Sequence, residues 1–330
     1  MRRAVWAGIA GLLVLLCSPA AGGERFQTSA IIGLFTVRYY GNWEVPLGDP
    51  AEVLLIGGVL AGTGWVSDLM LWSDSATGPW KVAGKVTGQG ERDSLIDARR
   101  FMREGERVSV YYVEAGVLGE ATLTDYGSDS ADGLVFGAKP RISAGKEDAF
   151  RRTSKLSWGD QGPHMLAVWA PGGGRPHWVT GELLNPKNTV YRSVVERWLA
   201  ARGVSSSVIR TAVVEQIVRT DINRDGRQEV FLSFHTPDAP GVRPKQSGKR
   251  VFSYLVMRQL SGDAGLVKTV VVDDSADRVH KVDGFCDLDE DGTAEVATDY
   301  LSAESWGTAL FRWDGSKFRQ VAGQESTAGD

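Results

Sequence analysis

Asp221-Ile222-Asn223-Arg224-Asp225-Gly226-Arg227-Gln228-Glu229 is answered 66 residues later by Asp287-Leu288-Asp289-Glu290-Asp291-Gly292-Thr293-Ala294-Glu295. Both stretches place oxygen side chains at loop positions one, three and five, glycine at six for a sharp turn, and a carboxylate at nine to close a shell of oxygens. This is the donor pattern of a hard cation, and calcium (Ca2+) prefers six to eight oxygens at roughly 2.3–2.6 Å. The first loop offers Asp221, Asn223, Asp225 and Glu229, with the backbone carbonyl of Arg227 at position seven. The second offers Asp287, Asp289, Asp291 and Glu295, with the carbonyl of Thr293. Four carboxylates against three predict tighter binding at the second loop, because charge count tunes affinity. Carboxylates held on a cation stay ionised and make poor general acids, so no catalytic role is assigned to them.

The residues around the loops decide between two kinds of calcium site. An EF-hand would need a bidentate carboxylate at position twelve, where Leu232 and Thr298 stand, and helices on either side. The flanks instead have the apolar character of strands. Val213 to Arg219, the first loop, Val230 to Phe234, Val251 to Met257 and Leu266 to Val272 form one series. His280 to Phe285, the second loop, Val296 to Tyr300, Thr308 to Trp313 and Phe318 to Val321 form the next, with Val230 matching Val296 and Phe234 matching Tyr300 at the same offset. A repeat of about four strands has the content of one propeller blade.

From Val213 to about Val321 the chain resembles FG-GAP or VCBS-type repeats. In that family, found in β-propellers of integrins and in many exported bacterial proteins, acidic residues at loop positions one, three, five and nine bind calcium between two strands. The resemblance implies calcium at both loops and blade-like β repeats, and two repeats fall short of the several blades a closed propeller needs. The run from Tyr191-Arg192-Ser193-Val194-Val195 through the first loop is also similar to exported bacterial proteins of no assigned activity.

Upstream of the repeats, Val190, Tyr191, Val194, Val195, Trp198 and Leu199 lie at helical spacing, which predicts a helix over 188–203 with Asn188 or Thr189 as cap and Gly203 as stop. Trp198 belongs to its packing face. Residues 146–187 read as a polar linker or long exposed loop followed by a hairpin that pairs Met165 to Ala170 with His177 to Thr180 through Pro171-Gly172-Gly173-Gly174-Arg175-Pro176. Residues 23–145 read as an N-terminal β domain, with short strands between Ile31 and Phe136 and a short helix competing at Ser94 to Met102. The expected fold is mainly β with one helix: an N-terminal β domain, two propeller-like repeats over 204–322, and a disordered tail over 323–330.

The N-terminus speaks to location. Met1-Arg2-Arg3, the apolar run Ala4 to Cys17 and the small residues Ser18 to Gly23 describe a signal peptide over 1–22, cleaved after Ala20 or Gly22. The mature chain is expected to be secreted, or periplasmic and part of the cell envelope. Cys17 follows Val14-Leu15-Leu16 and lacks the small preceding residue that bacterial lipoproteins carry, which argues against a lipid anchor. Cleavage would leave Cys286 alone, with no internal disulfide possible. No later segment approaches the ~20 apolar residues of a spanning helix, and a net charge of -4 offers no basic field for nucleic acid.

Outside the loops the chemistry is sparse. His164, His177, His235 and His280 show neither metal spacing nor a nucleophile beside them. The leading expectation is an exported, non-enzymatic calcium-binding β-repeat protein that engages a protein or polysaccharide at the cell surface. A secreted glycan hydrolase with structural calcium is the alternative, motivated by ten tryptophans from Trp43 to Trp313 and the turn Ser73-Asp74-Ser75-Ala76-Thr77-Gly78-Pro79-Trp80. A structural envelope protein is the third.

Overall fold

The computed structural model describes residues 32–40, 53–56, 58–60, 65–67, 71–73, 81–82, 105–127, 135–157, 165–169, 177–237, 252–261, 266–302 and 305–327. The expected signal peptide with Cys17, the competing helix at Ser94 to Met102, the glycine-rich tip at 171–176 and the loop from 238 to 251 lie outside them.

The N-terminal strands are β1 (Ile32–Tyr40), β2 (Val53–Ile56), β3 (Gly58–Leu60), β4 (Trp65–Ser67), β5 (Leu71–Ser73), β6 (Lys81–Val82), β7 (Arg107–Tyr112), β8 (Gly116–Gly127) and β9 (Val135–Ile142). They are followed by helix α1 (Glu147–Ser157) and β10 (Met165–Trp169). Eight of these strands share one antiparallel sheet in the order β10-β7-β8-β9-β2-β1-β5-β6, and β3 pairs with β4 apart from it. β1 also pairs with β10, so the ladder runs from β1 through β10, β7, β8, β9 and β2 back to β1.

The repeats follow. β13 (Val213–Thr220), β14 (Glu229–His235), β15 (Ser253–Ser261) and β16 (Leu266–Asp273) form one antiparallel meander, and β17 (Val279–Asp287), β18 (Glu295–Leu301), β19 (Ser305–Trp313) and β20 (Phe318–Thr327) form the next. The ladders agree with the repeat in the sequence, since Thr220 faces Glu229 in the first unit and Cys286 faces Glu295 in the second. Each meander gains a fifth strand from upstream. β11 (His177–Val179) joins β17 and β12 (Gly181–Leu184) joins β13, so a single extended segment changes sheets at Thr180.

That arrangement corrects the expected hairpin. Met165–Trp169 and His177–Val179 are both strands, but β10 pairs with β1 and β7 while β11 pairs with β17. The expected linker holds α1, where Phe150 is buried in the core on a largely polar helix, and residues 323–327 of the expected tail extend β20. In place of one helix the described residues contain three: α1, α2 (Thr189–Ala201) and α3 (Ser206–Thr211). The Asn188 side chain accepts from the Val190 amide and caps α2, the first of the two residues expected to do so.

Alternation along the strands gives the β13–β16 sheet two buried faces. Ile217, Leu232, Phe234 and Val256 pack under α2 and α3 with Val195, Leu199 and Ile209. Val218, Phe231, Leu255 and Met257 face the other way and join Phe285, Val296 and Phe318 of the second unit. The ring centroids of Phe231 and Phe285 are 5.1 Å apart. Gln216, buried, stitches the units together: its Nε2 donates to the Val282 carbonyl at 3.1 Å and its Oε1 accepts from the Val282 amide at 2.7 Å. The N-terminal sheet packs on the same core, with Tyr111 stacked on Trp178 at 4.1 Å and its hydroxyl donating to the Val179 carbonyl at 2.5 Å. The fold is therefore mainly β, built from antiparallel sheets with few helices, and the described sheets do not form a ring of blades.

Candidate metal centre

Both loops connect the first two strands of their meander and adopt one conformation. Position four takes a left-handed backbone in each, at φ 57° for Arg224 and 58° for Glu290, and the glycine at six follows at 84° for Gly226 and 91° for Gly292. Such angles strain a residue with a Cβ, which gives position six its glycine. The Gly226 amide donates to Asp221 Oδ2 at 2.8 Å and the Gly292 amide to Asp287 Oδ2 at 3.2 Å. The position-seven amides of Arg227 and Thr293 donate to Asp225 and Asp291 at 2.8 and 2.7 Å. The position-nine carboxylates accept from the position-two amides, Glu229 from Ile222 at 3.1 Å and Glu295 from Leu288 at 2.8 Å. The side chains at one, five and nine thus fold each loop inward around its own backbone. The loops also touch, because the Ala294 amide donates to the Ile222 carbonyl at 2.8 Å.

Their electrostatics differ. In the second loop a carboxylate oxygen from each of Asp287, Asp289 and Glu295 lies within 4.8 Å of the other two, an arrangement that could hold a metal ion. Asp287 is 2% exposed, and its Oδ1 is buried with no hydrogen-bond partner. A buried carboxylate oxygen without a donor is costly, and a cation in the cluster would satisfy it. The donor set of hard oxygens suits a hard divalent ion. In the first loop Asn223 stands where Asp289 stands in the second, and its amide donates to Asp225 Oδ2 at 3.2 Å. Asp221, Asn223, Asp225 and Glu229 share one turn there, although Asn223 and Asp225 are exposed and only Glu229 is buried.

Burial pushes the Glu295 carboxyl up to about 7 against the pull of the Leu288 amide and the Arg312 guanidinium, with the Asp289 charge adding to the rise. Glu229 is raised to about 7 by burial first, opposed by the Ile222 amide and reinforced by Asp225 and Asp221. Asp289 is raised as well, burial outweighing Arg312. These shifts describe negative charge crowded into a dry turn, a state that a cation relieves.

Arg312 is the residue the sequence reading missed. It projects from β19 onto the second loop, with Nε 2.7 Å from Glu295 Oε1 and Nη2 3.1 Å from Asp289 Oδ2. The contact spans 17 residues and depends on the β18–β19 register, so loop-by-loop inspection does not reveal it.

Other described candidates resolve into packing or surface, while His164 and residues 74–80 of the quoted turn lie outside the described residues. His280 is buried between Asp273 at 3.1 Å and Thr298 at 3.0 Å, and His235 lies 3.5 Å from Glu215. Trp198 meets Phe234 and Tyr254 edge-on in the helix-covered core. A cleft of about 620 Å³ beside Trp178 includes Ser109, Glu120, Arg141 and Ser143. Glu120, the one carboxylate among its described lining residues, pairs with Arg107 at 3.0 Å. Among the described residues no helix is long and apolar enough to cross a membrane.

Comparison with known proteins finds no matching family model, no similar curated protein and no similar solved structure.

Proposed function

We propose that this chain is an exported β-repeat protein whose two acidic loops bind calcium and thereby fix two blade-like units that present a surface to a protein or polysaccharide partner. The observation that carries the reading is the buried, partnerless Asp287 Oδ1 among the carboxylates of Asp289 and Glu295, in a loop whose conformation is duplicated 66 residues upstream. Calcium is the favoured ion because every side-chain donor is oxygen and the loops are short and rich in carboxylates. The role assigned to the ion is structural. Each loop joins two neighbouring strands, and cross-linking its carboxylates fixes the hairpin that starts each meander. Export supplies a compartment where free calcium is plentiful, and the charged start, apolar run and small residues of 1–22 support it.

Native mass spectrometry of the full chain, expressed with its N-terminus intact so that export and processing are also read, tests the proposal. Two calcium ions per chain at millimolar calcium, lost on chelation, are expected. A chain with neither loop occupied would overturn the reading.

A further inference from the structure

The second loop carries its own cation. Glu295 is 1% exposed and Asp289 6%, and the guanidinium of Arg312 lies against both. Of the oxygens in this cluster, Glu295 Oε2 takes the Leu288 amide and Oε1 takes Arg312. Asp289 Oδ1 takes the Asp291 amide at 3.3 Å and Oδ2 faces Arg312. Asp287 Oδ2 takes the Gly292 amide, which leaves Asp287 Oδ1 buried without a partner. A calcium ion needs six to eight oxygens, and two of those nearest to hand are turned to the guanidinium.

The first unit lacks this device. Val230 pairs with Arg258 in the first unit as Val296 pairs with Phe311 in the second, so the strand position of Arg312 is held by Gln259. We infer that Arg312 is a resident counter-cation of the second loop, holding Asp289 and Glu295 while the loop is metal-free and competing with calcium for their oxygens. Its charge offsets the fourth carboxylate, so the second loop does not bind calcium more tightly than the first. Two positive charges on one carboxylate cluster repel, and full coordination of the metal requires Arg312 to withdraw. The metal-free loop in turn keeps its shape, because a buried carboxylate retains a charged hydrogen-bond donor.

The inference rests on the metal reading above, and the test separates the two. Calcium is titrated into the chelator-stripped full chain by calorimetry, for wild type, Asp287→Asn and Arg312→Gln. The phase lost in Asp287→Asn belongs to the second loop. In Arg312→Gln, which copies Gln259, that phase strengthens by roughly tenfold, the change expected when one part-buried charged competitor is removed. The same variant has a lower urea midpoint in chelator and recovers in saturating calcium. Arg312→Lys keeps the charge without the planar fork and gives a smaller gain, which covers the case in which the glutamine variant fails to fold. An unchanged or weaker second phase in both variants would overturn the inference and make Arg312 a support for the metal-bound loop. Absence of any calcium-binding phase, in wild type and both Arg312 variants alike, would defeat the metal reading and this inference with it. A phase present only in the Arg312 variants would uphold the competition.

Discussion

Replacing Asp287 by asparagine removes one buried negative charge while keeping shape and the acceptor for the Gly292 amide. The outcome follows from which state holds the charge. Without metal, Asp287 stands within 4.8 Å of two other carboxylates and has one oxygen with no partner. An amide there relieves repulsion and places a donor toward Asp289 and Glu295, so stability in chelator is unchanged or slightly higher. With metal, a ligand at position one is lost. Binding to the native state alone stabilises it by about 2.7 kcal/mol when the ion is at a hundred times its dissociation constant, and that increment disappears from the second loop. Urea denaturation followed by tryptophan fluorescence, in calcium and in chelator, reads both quantities on the same protein. Asp287→Asn should therefore lose roughly 2–3 kcal/mol in calcium and nothing in chelator. Equal losses in the two conditions would show that Asp287 serves the turn and not an ion, and the reasoning would fail.

Three further outcomes are expected. In chelator, stability falls as pH rises from about 5 to 8: Glu295, raised from 4.5 to about 7, binds a proton more readily folded than unfolded, so its contribution is full below the unfolded value and lost through about 7. The displacement at Glu295 is worth about 3 kcal/mol, Glu229 is raised alike and adds to the same slope, and urea midpoints across pH should show the slope in chelator and lose it in saturating calcium. Gln216→Ala leaves the amide and carbonyl of Val282 buried without their side-chain partner, at a cost of about 2 kcal/mol, measurable as a lower midpoint with calcium binding retained. Gly284→Ala would set a Cβ 2.6 Å from Tyr111 Cε1 and 2.8 Å from Leu166 Cδ1, where the second repeat meets the N-terminal sheet. Overpacking of that kind costs about 1–3 kcal/mol, and thermal denaturation should show it whether or not calcium is present.

The loops and their flanking strands were legible in the sequence because their determinants are local. A carboxylate at position one reaches the amide at six across a single turn, glycine supplies the positive φ at Gly226 and Gly292, and alternation marks the strands on either side. The α2 helix was legible for the same reason, its apolar stripe lying within thirteen residues. What escaped depends on distant partners. His177 to Leu184 carries a strand pattern, but nothing within it says that Thr180 divides it between two sheets. Helix α1 reads as a charge cluster, since what anchors it is the packing of Phe150 in the core as the helix lies on β1, β8 and β10, which its own residues do not announce. Arg312 reads as an ordinary surface arginine until the β18–β19 register brings it beside Glu295.

The segment 177–184 has a topological consequence. Because its first half seals the outer edge of one meander and its second half that of the other, the duplicated units share one clasp and neither is self-contained. Cutting the chain after 184 would bare the edges of both β13 and β17 together, two rows of unpaired amides and carbonyls ready to zip onto another chain. The duplication therefore works as an indivisible pair, and a third unit appended after β20 would arrive without a clasp of its own.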